Sequence, residues 1–561
     1  MSFALDALII LTGWTHVLLA PYTKVEESFN LHAVHDTLMY GVAQLDKAHM
    51  SFYDHFTFPG AVPRTFIGSV LLAWVSNPVI HIANSFGLVT GKFDLQIIVR
   101  LVLSTLNAIG LCSLRQAISR RFGRPTGLLF TIITITQFHV PFWMGRTLPN
   151  MFAMFPVNIA FAFVLSRAPS SPKPSPFSTY TAIALLTSTA VIFRAELALL
   201  LAPLVLQALI LRYVSLVGVI KVGMLAGFVS IALTTAVDSY FWQTTVWPEF
   251  SGIYFNVVEG KSSEWGTSPP WTYFISFLPK LLLTAFPLSV LGFVMDSRIR
   301  EALFPHIVFV GTISLLAHKE WRFIVYVVPM FNLAAARTGR WMVSQRKGSL
   351  FGRLFFLAFW VLIIANVGVT TMVTLSSMAN YPGGEALRRF NDAYPPPVPG
   401  HGKAHHVHIS NLAAQTGASL FLQEHAPPFP SSSLFSPDTQ VSMYPWTVYD
   451  KTENLTLDEL SGSRNITHLI SEWSPIVMRN RMRVWTVAEI PLASGSGAET
   501  HGGKGGGGII VAFNGWKINW DAVKAMLGFK LAEVGKVVSE NGLKGLISMR
   551  EEPTVWIYRR R

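Results

Sequence analysis

The sequence predicts an all-α polytopic membrane protein with a small α+β domain at its C-terminal end, and three observations lead there. Of 561 residues, 51% are hydrophobic and only 13% are charged, about half the roughly 25% charge of a soluble domain. The apolar residues gather in many runs close to the ~20 residues that cross a bilayer as a helix. After residue 376 those runs stop and short alternating ones replace them.

Candidate spans lie at roughly 3–20, 61–83, 96–114, 126–144, 149–166, 179–193, 195–211, 216–236, 271–294, 303–317, 321–336 and 352–375. Residues 3–20 have no basic n-region, and Pro21-Tyr22-Thr23 is a poor cleavage site, so this run reads as an uncleaved first span. The net charge of +13 sits in short loops between apolar runs, with no basic tail or nucleic-acid motif, so no nucleic-acid partner is expected. Cys112 stands alone, which excludes an intrachain disulfide and a cysteine-based metal site.

Five basic groups set the orientation: Arg115, Arg120, Arg121 and Arg124; Arg167 and Lys173; Arg212 and Lys221; Arg298 and Arg300; and Arg337, Arg340, Arg346, Lys347 and Arg353. With all five in the cytoplasm, every span from residue 96 onward alternates consistently. The opposite side then receives residues 145–150, the 193–196 junction, the loop 237–270, the turn 318–322 and everything after 376. Under this assignment 61–83 is not a simple span, so residues 61–90 are expected to be re-entrant or broken near Asn77-Pro78, leaving about eleven passes. Residues 1–376 form the membrane domain, 377–400 a Pro-rich linker and 401–561 the α+β domain. That domain has strand-like runs at 482–490, 508–516 and 554–560 and helical patterns within 519–549. Sequons at Asn454 and Asn465 suit a luminal face.

The segment from Pro21 to Arg64 holds Glu26, Glu27, Asp36, Asp54, four histidines (His32, His35, His49, His55) and Arg64 between apolar runs. Ionisable groups kept beside hydrocarbon mark a functional site by default; an ordinary solvated loop is the alternative. Other polar islands fall on the same side: Arg146 in GRTLPN, Arg194 and Glu196 in FRAEL, and His318, Lys319, Glu320 and Arg322 in HKEWRF. On a helix His318 and Arg322 lie one turn apart. Cations facing away from the cytoplasm call for an anionic partner, and Arg and Lys suit a lipid-borne phosphate. The alternative is an internal pair of Glu320 with Lys319 or Arg322.

Glu26 and Glu27 point about 100° apart on a helix, so one addresses substrate while the other pairs. A carboxylate base beside cations suits transfer from a phosphate-linked donor to an alcohol. Direct displacement at one carboxylate predicts inversion. The histidines at 401, 405, 406 and 408 read as a solvated loop more readily than as a metal site, and the loop 237–270 offers Trp, Tyr and Phe either to a sugar or to the membrane interface.

TKVEESFNLHAVHD, YDHFTFPGAVPRTF, GRTLPNMFA, FRAELALL and HKEWRF together resemble glycosyltransferase family 22, the mannosyltransferases of the endoplasmic reticulum. The resemblance implies a membrane-embedded GT-C fold and an inverting transfer of mannose from dolichyl-phosphate mannose to a lipid-linked oligosaccharide on dolichyl pyrophosphate. It further implies a luminal active site and no metal or other cofactor. By position it makes Glu26 and Glu27 the catalytic acids, with Glu where other members have Asp leaving the base unassigned. It gives His318, Lys319, Arg322 and Arg146 to the donor phosphate, and Asp54, His55, Arg64, Arg194 and Glu196 to the sugars. Family members that make α-1,2 linkages on the same precursor or act in glycosylphosphatidylinositol assembly, and a polytopic lipid or sugar transporter, are the alternatives.

Overall fold

The computed structural model describes residues 2–42, 51–396, 404–427, 446–463, 465–479, 484–490, 508–518 and 547–561. They fall into two compact units, one of residues 1–21, 26–90 and 94–372, the other of residues 22–25, 91–93 and 373–561.

The first unit is helical. Five helices are long and apolar enough to cross a membrane: Ser2–Leu19, Ile67–Ser85, Lys92–Phe122, Leu216–Trp242 and Leu350–Met378. A bent pair, Tyr273–Leu282 with Ala285–Met295, makes a sixth if it counts as one span. Other expected passes appear as shorter helices, among them Pro149–Leu165, Pro176–Ile192 and Ala195–Ile210. Leu216–Trp242 turns Phe228, Leu225 and Met224 outward. A contiguous apolar face of this kind needs lipid around it, so the chain is a multi-pass membrane protein.

The first helix runs antiparallel to Lys92–Phe122. Arg115 near the end of the long helix pairs with Asp6 at 2.8 Å, while near its start Gln96 donates to the Pro21 carbonyl at 2.8 Å. Pro21 and Lys92 therefore lie on one side. Ile67–Ser85 is a single helix that runs through Pro78, which corrects the expected break there. Proline removes one ladder bond but does not always end a buried or lipid-facing helix. The seven steps from Ser85 to Lys92 reach about 24 Å fully extended, less than the ~30 Å hydrocarbon thickness. The Ser85 end of this helix is thus tied to the side of Pro21.

The break occurs instead inside the expected span 271–294. There the axis bends by 107° at Leu283, whose φ is +51°. The backbone groups freed at the bend are satisfied from neighbouring helices: Gln137 donates to the Leu282 carbonyl at 2.9 Å, and the Asn366 side chain accepts from the Thr284 amide at 3.1 Å. Such internal partners are what a broken helix requires inside a membrane.

The second unit opens with the helix Pro382–Ala393, which occupies part of the stretch read as linker. Its mixed sheet is built from β1 (His406–Ile409), β2 (Val448–Asp450), β3 (His468–Ser471), β4 (Trp485–Val487), β5 (Ile509–Ile518) and β6 (Ile547–Arg560). The strand order is β2-β1-β3-β6-β4, with β5 paired to the first part of β6. β1 runs parallel to β2 and β3, and the remaining pairs are antiparallel. Leu460, Leu469, Met478, Trp485 and Tyr558 fill its core. The helical patterns of 519–549 fall almost wholly outside the described residues, as do His49 and His401.

Candidate functional site

The acidic segment folds as the helix Val25–Tyr40, with Glu26 and Glu27 in its first turn, where carboxylates complement the helix dipole. The 100° step between them sends the two side chains into different surroundings. Glu27 is completely buried and accepts from Arg146 Nη1 at 2.7 Å, with both side chains 0% exposed. Glu26 is exposed and has no ion-pair or hydrogen-bond partner among the described residues.

Arg146, expected at the donor phosphate, is therefore enclosed. Its guanidinium lies over the rings of Phe142 and Trp143, at 4.1 and 5.3 Å, and its charge is matched by Glu27. Two more bonds lock the acidic helix to this segment: Asn30 donates to the Thr147 carbonyl at 2.8 Å, and the Thr147 hydroxyl to the Glu27 carbonyl at 3.1 Å. From the long helix, the fully buried Arg100 donates to the carbonyls of Gly145 at 3.0 Å and Ala20 at 2.8 Å. Arg100 was absent from the sequence expectations. The signal for it was present, because an arginine inside a span always needs a reason.

Asp54 starts the one-turn helix Asp54–Thr57. Its carboxylate meets His32 Nδ1 at 2.7 Å, and its amide donates to Asp36 at 2.8 Å. His55, expected at the sugar, is buried among the rings of Phe56, Phe66 and Trp242. Its Nε2 donates to the Phe241 carbonyl at 3.0 Å, and burial holds its imidazole below the usual range. This ring supports the wall of the segment from behind.

The remaining islands do converge. Arg194 Nε binds Glu196 at 2.8 Å. Asn150, 1% exposed, directs its amide at Glu196 (3.1 Å), the Arg322 carbonyl (3.1 Å) and the Tyr326 hydroxyl (2.8 Å). Glu249, from the aromatic loop, accepts from the Ala195 amide at 2.6 Å. Burial lifts its carboxyl to about 7, although Arg194 pulls the other way.

The HKEWRF turn is not α-helical before Trp321, where a 3₁₀ segment begins. His318 and Arg322 still meet, because Glu320 accepts from both, at 3.1 and 2.6 Å. The internal Glu320–Arg322 pair is present. Burial raises the Glu320 carboxyl, but Arg322 and His318 outweigh it and leave it below the ordinary value. Lys319 turns away: its ammonium donates to the backbone carbonyls of Ser268 and Leu316 and is 6% exposed.

Arg64 completes the cluster. Its guanidinium has no ion-pair partner among the described residues and lies within electrostatic reach of Arg194 and Arg322. Burial and those two like charges lower its pKa to about 10. Three half-buried guanidiniums thus share one region with Glu196, Glu249 and Glu320. This region is close to the acids. Arg146 and Asn150 are four residues apart, at most about 14 Å, and they touch Glu27 on one hand and Arg322 on the other.

ArnT from Cupriavidus metallidurans, solved bound to undecaprenyl phosphate, aligns with 87% of this chain and 96% of its own at a TM-score of 0.51 and 12% identity. The fold is that of the GT-C membrane glycosyltransferases. The chain belongs to the Alg9-like mannosyltransferase family, which matches residues 7–423. A Drosophila melanogaster protein named Dol-P-Man:Man(7)GlcNAc(2)-PP-Dol alpha-1,6-mannosyltransferase is 40% identical over 423 residues, covering 75% of this chain. This chain spans 58% of the fly protein's length. The Arabidopsis thaliana protein of the same name is 34% identical over 478 residues, 85% of this chain and 87% of that one.

Proposed function

We propose that the chain transfers mannose from dolichyl-phosphate mannose to the seven-mannose oligosaccharide on dolichyl pyrophosphate, forming an α-1,6 linkage at the luminal face of the endoplasmic reticulum membrane. What supports the substrate is the shared name of relatives that match most of the chain. What supports the chemistry is the contrast between Glu26 and Glu27, and that contrast carries the reading. Glu27 is spent on Arg146, which leaves Glu26 free to accept the proton of the attacking sugar hydroxyl. Phosphate is a good leaving group and needs charge stabilisation more than protonation. Arg64, Arg194 and Arg322 supply that charge, so Arg64, expected at the sugar, serves the phosphate instead. Attack opposite the departing phosphate inverts the anomeric carbon. In this reading Arg146 and Lys319 hold the framework, Asp54 and Glu196 orient the groups beside the sugars, and the shorter apolar helices complete about eleven passes.

The test is incubation of membranes containing the protein with dolichyl-phosphate mannose and the seven-mannose acceptor, followed by linkage analysis. An added α-1,6-linked mannose is expected. An α-1,2 linkage, or product only with a glycosylphosphatidylinositol precursor, would replace this reading with another member of the family. Absence of transfer to any acceptor would favour the transporter.

A further inference from the structure

The chain enters the acidic helix through four residues that belong to the other compact unit. Tyr22–Val25 cluster with residues 373–561, and so do Gly91–Phe93. Tyr22 is 8% exposed. Its phenol donates to Glu385 Oε2 at 2.9 Å, and its ring stacks on Phe93 at 5.5 Å and 24°. Burial, then the charge of Glu385, push the phenol well above its ordinary pKa, so it remains a donor across the physiological range. The other side of the ring rests on bare backbone. A Cβ on Gly384 would come within 2.5 Å of Tyr22 Cδ1, and Gly417, at φ +116°, approaches the same spot. Only glycine allows both the close approach and that backbone angle. Two residues further on, the Lys24 ammonium lies 5.2 Å from the centre of the Tyr381 ring.

The second captured segment is held as firmly. Lys92 donates to the Ala426 carbonyl at 2.8 Å, and the Phe93 amide reaches Glu424 at 3.5 Å. Lys92 begins the long helix whose Gln96 and Arg100 hold Pro21 and Ala20. Ala20, Pro21, Tyr22 and Lys24 are thus each held, and Glu26 follows Lys24 by two residues. Ordinary packing of a tail needs neither a buried tyrosine at this position nor two glycines cut to fit it.

We propose that the C-terminal unit positions the catalytic carboxylate, with Tyr22, seated on Gly384 and bonded to Glu385, acting as a positioning residue for Glu26. The proposal rests on Glu26 being the base, as argued above. It gives the tail a part in the chemistry through the covalent chain alone. Misplacing a reacting group by about 1 Å costs up to a hundredfold in rate, and four residues of loosened backbone produce a shift of that order.

The experiment compares full-length Tyr22→Ala, Tyr22→Phe, Glu385→Ala and Glu385→Gln in the mannose-transfer assay, each also combined with Glu26→Gln. Tyr22→Ala is expected to lower kcat ten- to a hundredfold with the donor KM within twofold, and to have no further effect once Glu26 is Gln. Tyr22→Phe loses only the hydroxyl and should lose less. Glu385→Gln still accepts the phenol's hydrogen bond and should recover most of what Glu385→Ala loses. A kcat within twofold of wild type in Tyr22→Ala, or the same fold-loss with Glu26 already replaced, overturns the proposal. Hydrogen exchange provides a readout that does not depend on activity. Reduced amide protection over Val25–Asn30 in Tyr22→Ala supports positioning, and unchanged protection overturns it. If the wild type transfers no mannose, the functional reading fails on its own, and hydrogen exchange still decides whether Tyr22 fixes this segment.

Discussion

The acidic end and the cationic end of the site handle charge in opposite ways. Around Glu27 the pairing is enclosed: among the described residues one carboxylate meets one guanidinium, both fully buried, with aromatic rings over the cation. Around Arg64 it is open: three guanidiniums and three carboxylates are only partly buried, and Arg64 itself has no carboxylate within ion-pair distance among the described residues. A closed pair holds a scaffold in place, because removing either partner strands a buried charge. An open cluster in which one guanidinium lacks an ion-pair partner among the described residues is suited to an anion that comes and goes. Glu26 belongs to neither arrangement, and the proposed base role rests on that isolation.

The largest expected effect breaks the comparison at its sharpest point, between neighbours. Glu26→Gln should lower kcat by about 10²- to 10⁴-fold, the usual contribution of a general base, while thermal stability in detergent and donor KM stay close to wild type. Glu27→Gln should do the reverse. It leaves Arg146 buried without its anion, a loss of about 3–5 kcal/mol, read as poor accumulation and an early unfolding transition. Replacing both partners with apolar residues, as Glu27→Leu with Arg146→Met, should restore much of that stability. Equal loss of stability in both single variants would erase the distinction between the two carboxylates.

Next in size are the open cations. A hydrogen bond to a charged group contributes about 1.5–3 kcal/mol, so Arg64→Ala should raise the donor KM by about 10- to 150-fold. Arg322→Ala should cost more than Arg64→Ala, because it also releases Glu320 from its partner. Lys319→Ala, at a side chain bound among the described residues to backbone carbonyls, should alter stability and leave donor KM within a few-fold. If Lys319→Ala weakens donor binding as strongly as Arg64→Ala, the division between framework and phosphate cations is wrong.

Most of the participants were legible before the fold, and most of their partners were not. Glu26, Glu27, Arg146, Arg194, Glu196 and Arg322 declare themselves because charge among apolar runs is conspicuous. The side each falls on follows from where the basic loops lie. Pairing is another matter, since Glu27 and Arg146 are 119 residues apart and nothing local relates them. Asn150 carries no local sign of its role inside GRTLPN, because that role depends on Glu196, Arg322 and Tyr326 arriving together. The break was misplaced for a physical reason: Pro78 is a local signal that its surroundings overrode, whereas Leu283 bends because Gln137 and Asn366, distant in sequence, satisfy the freed backbone. Turn geometry at HKEWRF was likewise set by Glu320 and not by helical periodicity.

The smallest effect tests whether the open region carries a cost of its own. Burial raises the Glu249 carboxyl from 4.5 to about 7, against the pull of Arg194. Between those values the folded protein binds a proton that the unfolded chain has already released. Stability then falls as pH rises through this window and levels off above about 7. Glu320 cannot produce that slope: its pKa is lowered, so its contribution is lost only as pH falls below the ordinary glutamate range. Histidines titrate in the same interval, and the difference between wild type and Glu249→Gln removes them. The melting temperature of Glu249→Gln should be flatter than wild type between pH 5 and 7, with the two curves converging toward pH 5. If the curves stay parallel across the window, Glu249 is charged throughout. The open cluster would then balance its three cations with three full negative charges, leaving Arg64 far less to offer an incoming phosphate.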